Sequence, residues 1–301
     1  MPEIVEVKKY ADFIRKNIKK QKLIDIKIIN GRYLSKHFEH YQKLKNHLPT
    51  EVKEIETKGK FMYIKLKNEL IVGITLGLTG GWFYLKNDSN KYKFPDSTDN
   101  NEIVDYMQGY NKNAQEHINV EFIFEKGKIL FHDQLSFGTI KVYNNEEEFD
   151  KKLKSIGIDI MDDELSLDTF ILALKKKSNL EKPVGNVLMN QKIISGIGNY
   201  LRADTLWHAK ISPFRKVKNL NNKELENIFN SLRLITWTLY DYKLGVEKKI
   251  INPKDKIHID LEKDFLIYGK DKDSNGLKVI KEKLYAGSQI RYIYWVKEYQ
   301  K

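Results

Sequence analysis

The chain has 301 residues, with 53 Lys plus Arg against 41 Asp plus Glu, a formal net charge of +12 and no cysteine. That length suggests two domains of ordinary size, and a hydrophobic content of 41% with 17 Tyr and 14 Phe is enough to bury real cores. The charge points to a polyanionic partner, while zero Cys excludes disulfides, iron–sulfur clusters, thiol catalysis and every Cys-ligated zinc site.

The first 146 residues read as strands after one short opening helix. Pro2 to Ile18 carries Ile4, Val5, Tyr10, Ala11 and Ile14 at helical spacing, and Pro2 suits a first turn, where its missing N–H costs nothing. Period-2 segments follow at Leu23–Ile29, Glu51–Glu56, Phe61–Leu66, Ile71–Leu76, Trp82–Leu85, Val120–Phe124, Ile129–Phe131 and Thr139–Tyr143, a density that implies a β-sandwich or barrel. Asn87 to Asn101 is polar and reads as a loop. From Asn144 the pattern turns helical. Helices are predicted over Glu146–Ser155, over Ser166–Lys177 with Ser166 as cap, from Pro183, and from Asn222 to about Lys243 behind an Asn221/Glu224 capping box. A β-hairpin closes the chain, with strands Leu277–Leu284 and Ile290–Val296 around the turn Tyr285-Ala286-Gly287-Ser288. No run approaches the roughly 18 apolar residues of a membrane span. Ile71–Leu78 comes nearest, and the acidic start Met1 to Glu6 has no signal-peptide core, so a soluble, intracellular protein without a membrane partner is expected.

Common catalytic patterns are missing. The seven His (37, 40, 47, 117, 132, 208, 258) are scattered, only His37 and His40 are close, and with no nearby carboxylate cluster no metal site and no cofactor is expected. Four segments carry more weight. Pro2, freed of Met1, would present a secondary amine with a pKa of roughly 8 against about 10.4 for Lys, able to attack a sugar carbon and form an iminium. Glu3 and Glu6, three apart, would share a helix face beside that amine and move protons; the plainer reading is that Pro2 and two Glu complement the helix dipole. Gly196-Ile197-Gly198-Asn199 offers a tight turn, with Asn199 capping the next helix, and suits phosphate binding or an ordinary helical corner. Thr57-Lys58-Gly59-Lys60 is a hairpin tip whose lysines grip phosphate or are merely solvated. In the final hairpin, Arg291 stands beside Tyr292, Tyr294 and Trp295, a basic aromatic strand fit for a DNA groove or for packing on its domain. Arg15, Arg32, Arg202, Arg215, Arg233 and Arg291 are the only arginines, each suited to directed phosphate contact.

Taken in order with Gly77-Leu78-Thr79-Gly80 and Asp133-Gln134-Leu135-Ser136-Phe137-Gly138, these segments resemble the formamidopyrimidine-DNA glycosylase/endonuclease VIII family along the whole chain. The resemblance implies an α+β, multidomain fold: an N-terminal catalytic β-sandwich with a helix (1–146), a helical domain with a helix–two-turns–helix motif (147–245), and a C-terminal finger hairpin region (246–301). It implies a bifunctional DNA glycosylase/AP lyase that excises oxidised pyrimidines and hydantoins, its partner being damaged duplex DNA or single-stranded or bubble DNA, acting as a monomer wherever the genome is replicated. Pro2 would be the nucleophile, Glu3 the acid/base and Lys60 the third catalytic group. Asn199, Gly198, Arg291 and Glu6 would serve DNA binding, and Leu78, Leu135 and Phe137 would fill the hole left by the flipped base. The lesion-specificity loop would fall within Gly245 to Lys263. Most of the family closes its finger with four cysteines on zinc; without them the resemblance is to the zincless-finger endonuclease VIII-like branch of animals and giant DNA viruses, the viral form being closer, with the finger held by Tyr292, Tyr294 and Trp295. Leu135 stands where Arg is usual, Asp204 where Glu is usual, and Val5 replaces a common Pro. The alternative is a non-catalytic binder of damaged or structured DNA on the same scaffold.

Overall fold

The computed structural model describes residues 2–90, 92–93, 95, 115–244, 265–286 and 289–301. Met1, the loop Gly245 to Lys263, the turn residues Gly287 and Ser288 and much of the polar stretch before Asn101 lie outside the described residues. The chain divides into two compact units, one of Pro2 and Glu6–Ser155, the other of Glu3–Val5 and Ile156–Lys301. Among the described residues no helix is long and apolar enough to cross a membrane.

In the first unit helix α1 (Ile4–Ile18) buries Val7, Ala11, Ile14 and Ile18, one face at helical spacing. The strands are β1 (Lys22–Ile28), β2 (Thr50–Lys58), β3 (Phe61–Leu66), β4 (Ile71–Thr75), β5 (Gly81–Lys86), β6 (Tyr92–Lys93), β7 (Ile118–Phe124), β8 (Gly127–His132) and β9 (Thr139–Tyr143), in the order β6-β5-β8-β7-β1-β2-β3-β4-β9. β1 and β2 share two residue pairs, Lys22↔Glu51 and Leu23↔Thr50. This short join divides the sheet into two leaves that share one core, with Trp82, Phe122 and Phe131 from one side and Ile55, Met62, Val72 and Val142 from the other. The result is a sandwich whose inward positions alternate along β3, β4, β5, β7 and β8, and step by three across the register shifts of β1 and β2. Helix α2 (Tyr41–Asn46), absent from the sequence reading, lies between β1 and β2 and buries only Tyr41 and Leu44. Helix α3 (Glu146–Lys154) closes the unit. Its Phe149 is fully buried against Tyr63 and Tyr143, with ring centroids 4.7 and 5.6 Å away, and Lys58 Nζ donates to Leu153 O at 3.0 Å.

The second unit contains helices α4 (Leu167–Leu174), α5 (Val184–Leu188), α6 (Asn199–His208) and α7 (Asn222–Leu244). Ser166 caps α4 through the Thr169 amide at 3.1 Å. The box before α7 is reciprocal, Glu224 N to Asn221 Oδ1 and Asn221 N to Glu224 Oε2, both 2.9 Å. A short parallel pair, β10 (Ile158–Asp159) with β11 (Ile194–Ser195), brackets the first helices. Helix α6 is buried on every side from Tyr200 to Trp207. Leu201 and Leu206 join the helical core, while Ala203 and Trp207 join a second core with the closing hairpin, β12 (Ile280–Ala286) and β13 (Gln289–Trp295). That hairpin is held by Leu284, Ile293, Trp295 and Val296. Tyr292, expected to help, faces outward at 45% exposure, because strand alternation puts it on the face opposite Ile293 and Trp295. Tyr294 packs on Tyr268, with ring centroids 5.0 Å apart. With no cysteine in the chain, no cysteine-zinc finger can form.

Candidate active site

The first helix starts at Ile4, so Pro2 and Glu3 precede it and are not its first turn. The cause is the second unit. Ile4 N donates to Gly196 O at 3.0 Å, and the Glu3 side chain, 1% exposed, is taken up by helix α6. Glu3 Oε2 accepts the amides of Gly198 at 2.6 Å and Leu201 at 3.3 Å, and Oε1 accepts that of Tyr200 at 3.0 Å. These are N–H groups that the start of a helix leaves without intrahelical partners, and a carboxylate there also meets the positive end of the helix dipole. Glu3 thus caps a helix almost two hundred residues away in sequence, and it does not share a helix face with Glu6, which sits inside α1. Asn199, expected to cap α6, is its first helical residue; Gly198 holds the cap position and has no side chain to cap with. The two glycines are fixed by close approach. A Cβ on Gly198 would lie 2.3 Å from the Glu3 carboxyl, and one on Gly196, whose φ is +96°, would lie 2.6 Å from the Ile4 side chain.

Asn199 and the finger are joined by a residue that sequence reasoning singled out only as one arginine among six. Arg202 is fully buried; its Nη2 donates to Asn199 Oδ1 at 3.1 Å and to Tyr292 O at 2.7 Å, and its Nη1 to Gly185 O at 3.3 Å. With its oxygen so occupied, the Asn199 amide has its NH₂ left to donate elsewhere. Burial, and then the like charge of Arg291, push the Arg202 guanidinium down to about 10, with Glu3 opposing, so it stays charged at neutral pH. A charge set between Leu201 and Ala203 in a predicted helix was the available sequence signal. Asp204, two residues on, accepts the amides of Leu266 and Ile267 at 2.9 Å and of Tyr268 at 3.1 Å, anchoring the chain that leads into the finger. Burial pushes its carboxyl up to about 6 against those three donors. Arg291 is exposed on β13, paired in register with Leu284.

The other named residues belong to the first unit. Pro2 is half-buried, and Lys60 follows Gly59 in a two-residue hairpin turn between β2 and β3, with glycine in the left-handed position at φ +57°. Leu78, Leu135 and Phe137 stand on two neighbouring loops and are exposed at 40, 48 and 58%. Within this unit hydrogen bonds tie together the two loops that carry the three apolar tips. In the second unit it brings Glu3, Gly198 and Asn199 together, with Arg202 beside them. His40 does have carboxylates nearby in space: Glu39 and Glu148 lie with it in one cluster, their ligand atoms within 4.8 Å of one another. The Lys141 ammonium already pairs with both, at 3.1 and 2.9 Å, so the cluster is an ion-pair network.

Residues 1–140 match the model of the formamidopyrimidine-DNA glycosylase N-terminal domain, and residues 156–238 match that of the formamidopyrimidine-DNA glycosylase H2TH domain. The formamidopyrimidine-DNA glycosylase of Wolbachia sp. subsp. Drosophila simulans (strain wRi) is 29% identical over 233 residues, covering 76% of this chain and 74% of the relative. That of Ureaplasma parvum serovar 3 is 28% identical over 265 residues, 81% and 83% of the two chains. The Lactococcus lactis enzyme, solved non-covalently bound to AP-site DNA, covers 99% of both chains with a TM-score of 0.73 at 21% identity. A relative in complex with DNA containing carbocyclic 8-oxo-G gives 0.74 at 22%, again over 99% of both. The fold is therefore shared along the whole length. These curated relatives are bacterial, and the viral affiliation expected from the sequence finds no support in them. With the N-terminal and H2TH domain models matched in order over most of its length, the chain belongs to the formamidopyrimidine-DNA glycosylase/endonuclease VIII family.

Proposed function

We propose that this protein is a bifunctional DNA glycosylase/AP lyase that releases oxidised bases, pyrimidines and hydantoins among them, from duplex DNA. The observation that carries the reading is the seat of Glu3: a buried carboxylate fixed by three amides at the start of the helix that bears Asn199, one peptide bond from Pro2. A general acid/base has to be held in place before it is useful, and the same peptide bond delivers the amine nucleophile beside it.

In this reading the Pro2 amine attacks C1′ of the damaged nucleotide, the N-glycosidic bond breaks and the base leaves with a proton. The resulting iminium acidifies C2′, and β- and then δ-elimination expel the 3′ and 5′ phosphates. Glu3 moves protons in the ring-opening and elimination steps. Lys60, Asn199 and Arg291 hold phosphates around the lesion, with Gly198 letting the backbone approach closely and Glu6 bordering the site. Leu78, Leu135 and Phe137 occupy the gap left by the extruded base, which offsets part of the unstacking cost of a few kcal/mol. The three-part division, catalytic sandwich, helix–two-turns–helix and metal-free finger, belongs to the same proposal.

The test is borohydride trapping on duplex DNA with an oxidised pyrimidine. A covalent protein–DNA adduct mapping to Pro2 is expected, and it is lost in Pro2→Gly. Intact mass must show Met1 removed, since a peptide bond on the proline nitrogen blocks the attack. Full DNA affinity with no adduct from protein lacking Met1 overturns the reading in favour of a non-catalytic binder.

A further inference from the structure

The loop carrying Leu78 and the loop carrying Leu135 and Phe137 cross side by side between the two leaves of the first unit, one from β4 to β5 and the other from β8 to β9. Their ends are paired, Thr75↔Thr139 on one side and Gly81↔His132 on the other. Between them sits Asp133, 1% exposed. Its Oδ1 accepts the Thr79 hydroxyl at 2.5 Å, and its Oδ2 accepts the Gly138 amide at 2.6 Å. Thr79 Oγ1 in turn accepts the Leu135 amide at 3.1 Å, and the Asp133 carbonyl accepts the Ser136 amide at 3.2 Å. The loops touch backbone to backbone: a Cβ on Gly77, at φ +62°, would meet Gly138 N at 2.5 Å and Phe137 C at 2.6 Å. From a third side Arg32 Nη1 donates to Ser136 O at 3.4 Å.

Three large apolar side chains held out in water would normally fold back onto the nearest apolar surface, and a loose loop lets them. Here a buried carboxylate and a threonine hydroxyl are spent on preventing that. We propose that Thr79 and Asp133 are positioning residues that lock the two loops into one rigid apolar wedge, so that Leu78, Leu135 and Phe137 enter the base stack together. The advantage is preorganisation: the loops lose no freedom at the moment of insertion. This rests on the glycosylase reading for its purpose, though the wedge itself can be tested apart from the chemistry.

The test uses the full chain as wild type, Thr79→Val and Thr79→Ser. Each is mixed with duplex DNA carrying 2-aminopurine opposite a tetrahydrofuran abasic analogue, so that insertion is read by fluorescence without any bond being broken. Thr79→Val, which keeps the shape and loses both hydroxyl bonds, should slow insertion about tenfold or more and speed hydrogen exchange at the Leu135 amide. Thr79→Ser should restore both. Cleavage of an abasic site in single-stranded DNA, where no stack has to be entered, should stay within about twofold of wild type in all three. Wild-type insertion by Thr79→Val, an equal loss on both substrates, or no rescue by Thr79→Ser overturns the wedge. If wild-type protein is never trapped by borohydride, the glycosylase reading falls, while fluorescence and exchange still decide on the wedge.

Discussion

Replacing Glu3 by glutamine changes one acceptor oxygen into an NH₂, and the geometry fixes what that does. Oε2 accepts two amides, from Gly198 and Leu201, and Oε1 accepts one, from Tyr200. The cheaper orientation puts the amide oxygen at the Oε2 position, so the NH₂ faces the Tyr200 N–H, donor against donor. One bond to a charged acceptor is lost, about 1.5–3 kcal/mol net, and the two that remain become neutral and weaker. Buried surroundings leave no water to repair the Tyr200 amide. A destabilisation of about 2–3 kcal/mol follows, which for a unit of this size lowers Tm by roughly 4–12 °C. Scanning calorimetry should place that shift in the transition that carries the second unit, and base excision should be lost at 25 °C, well below it. A shift under about 1 °C would refute the three-amide seat, and intact excision by the folded variant would refute the role given to Glu3.

Two buried groups give the units opposite responses to acid. Burial raises Asp204 from 3.8 to about 6, so the native state binds its proton more tightly than the unfolded chain. Its contribution is full below about pH 3.8 and is lost as pH rises to about 6, and Asp204→Asn should flatten that fall, about 2 kcal/mol between about pH 4.5 and 6.5, in urea unfolding. Burial lowers His132 from 6.5 to about 4, so its contribution is present above pH 6.5 and lost as pH falls towards 4; His132→Phe should remove that loss from the first unit. Gly73→Ala should destabilise the sandwich by about 1–3 kcal/mol in the same assay, because its Cβ would sit 2.6 Å from the Phe61 ring and 2.7 Å from the Tyr143 ring. DNA affinity measured against salt should fall steeply, Arg291→Ala should reduce the slope by about 1, and a chelator should leave the binding unchanged.

Strands such as β2, β3 and β7 were readable because buried and partly exposed positions alternate along much of their length, while β4 and the start of β5, buried on both faces, show as short apolar runs. Phe61–Leu66 and Thr139–Tyr143 came out at their observed bounds, and the Asn221/Glu224 capping box and the final hairpin were legible because their partners lie close in sequence. Helix α2 was not, since two buried residues in six make no period. Nor was the start of α1. Pro2 and Glu3 have the composition of a first turn, and only the amides of a helix that begins at Asn199 draw them out of it. The parity of the finger could have been read: Tyr292 and Trp295 are three apart, so a flat strand cannot pack both on one face.

What the sequence could not supply is the manner in which the finger closes without metal. A two-stranded hairpin is marginal on its own, and this one leans on helix α6 through three different kinds of group. Arg202 reaches the Tyr292 carbonyl, Asp204 takes the amides at 266–268, and the Trp207 indole donates to Asp273 Oδ2 at 3.0 Å. All three side chains are buried. Each of these bonds joins a side chain of one short helix to a partner in sequence sixty to ninety residues away, so no local pattern announces them. Both buried charges bond to backbone groups in the chain around the hairpin. That arrangement carries a consequence for the site: the same helix start that seats Glu3 also carries Asn199 and, through Arg202, the strand that bears Arg291. A cysteine-bound metal would have fixed the finger independently of that helix. Here, within the second unit, the seat of Glu3, the Asn199 amide and the closing hairpin stand on one scaffold, and a disturbance at any of them is felt by the other two.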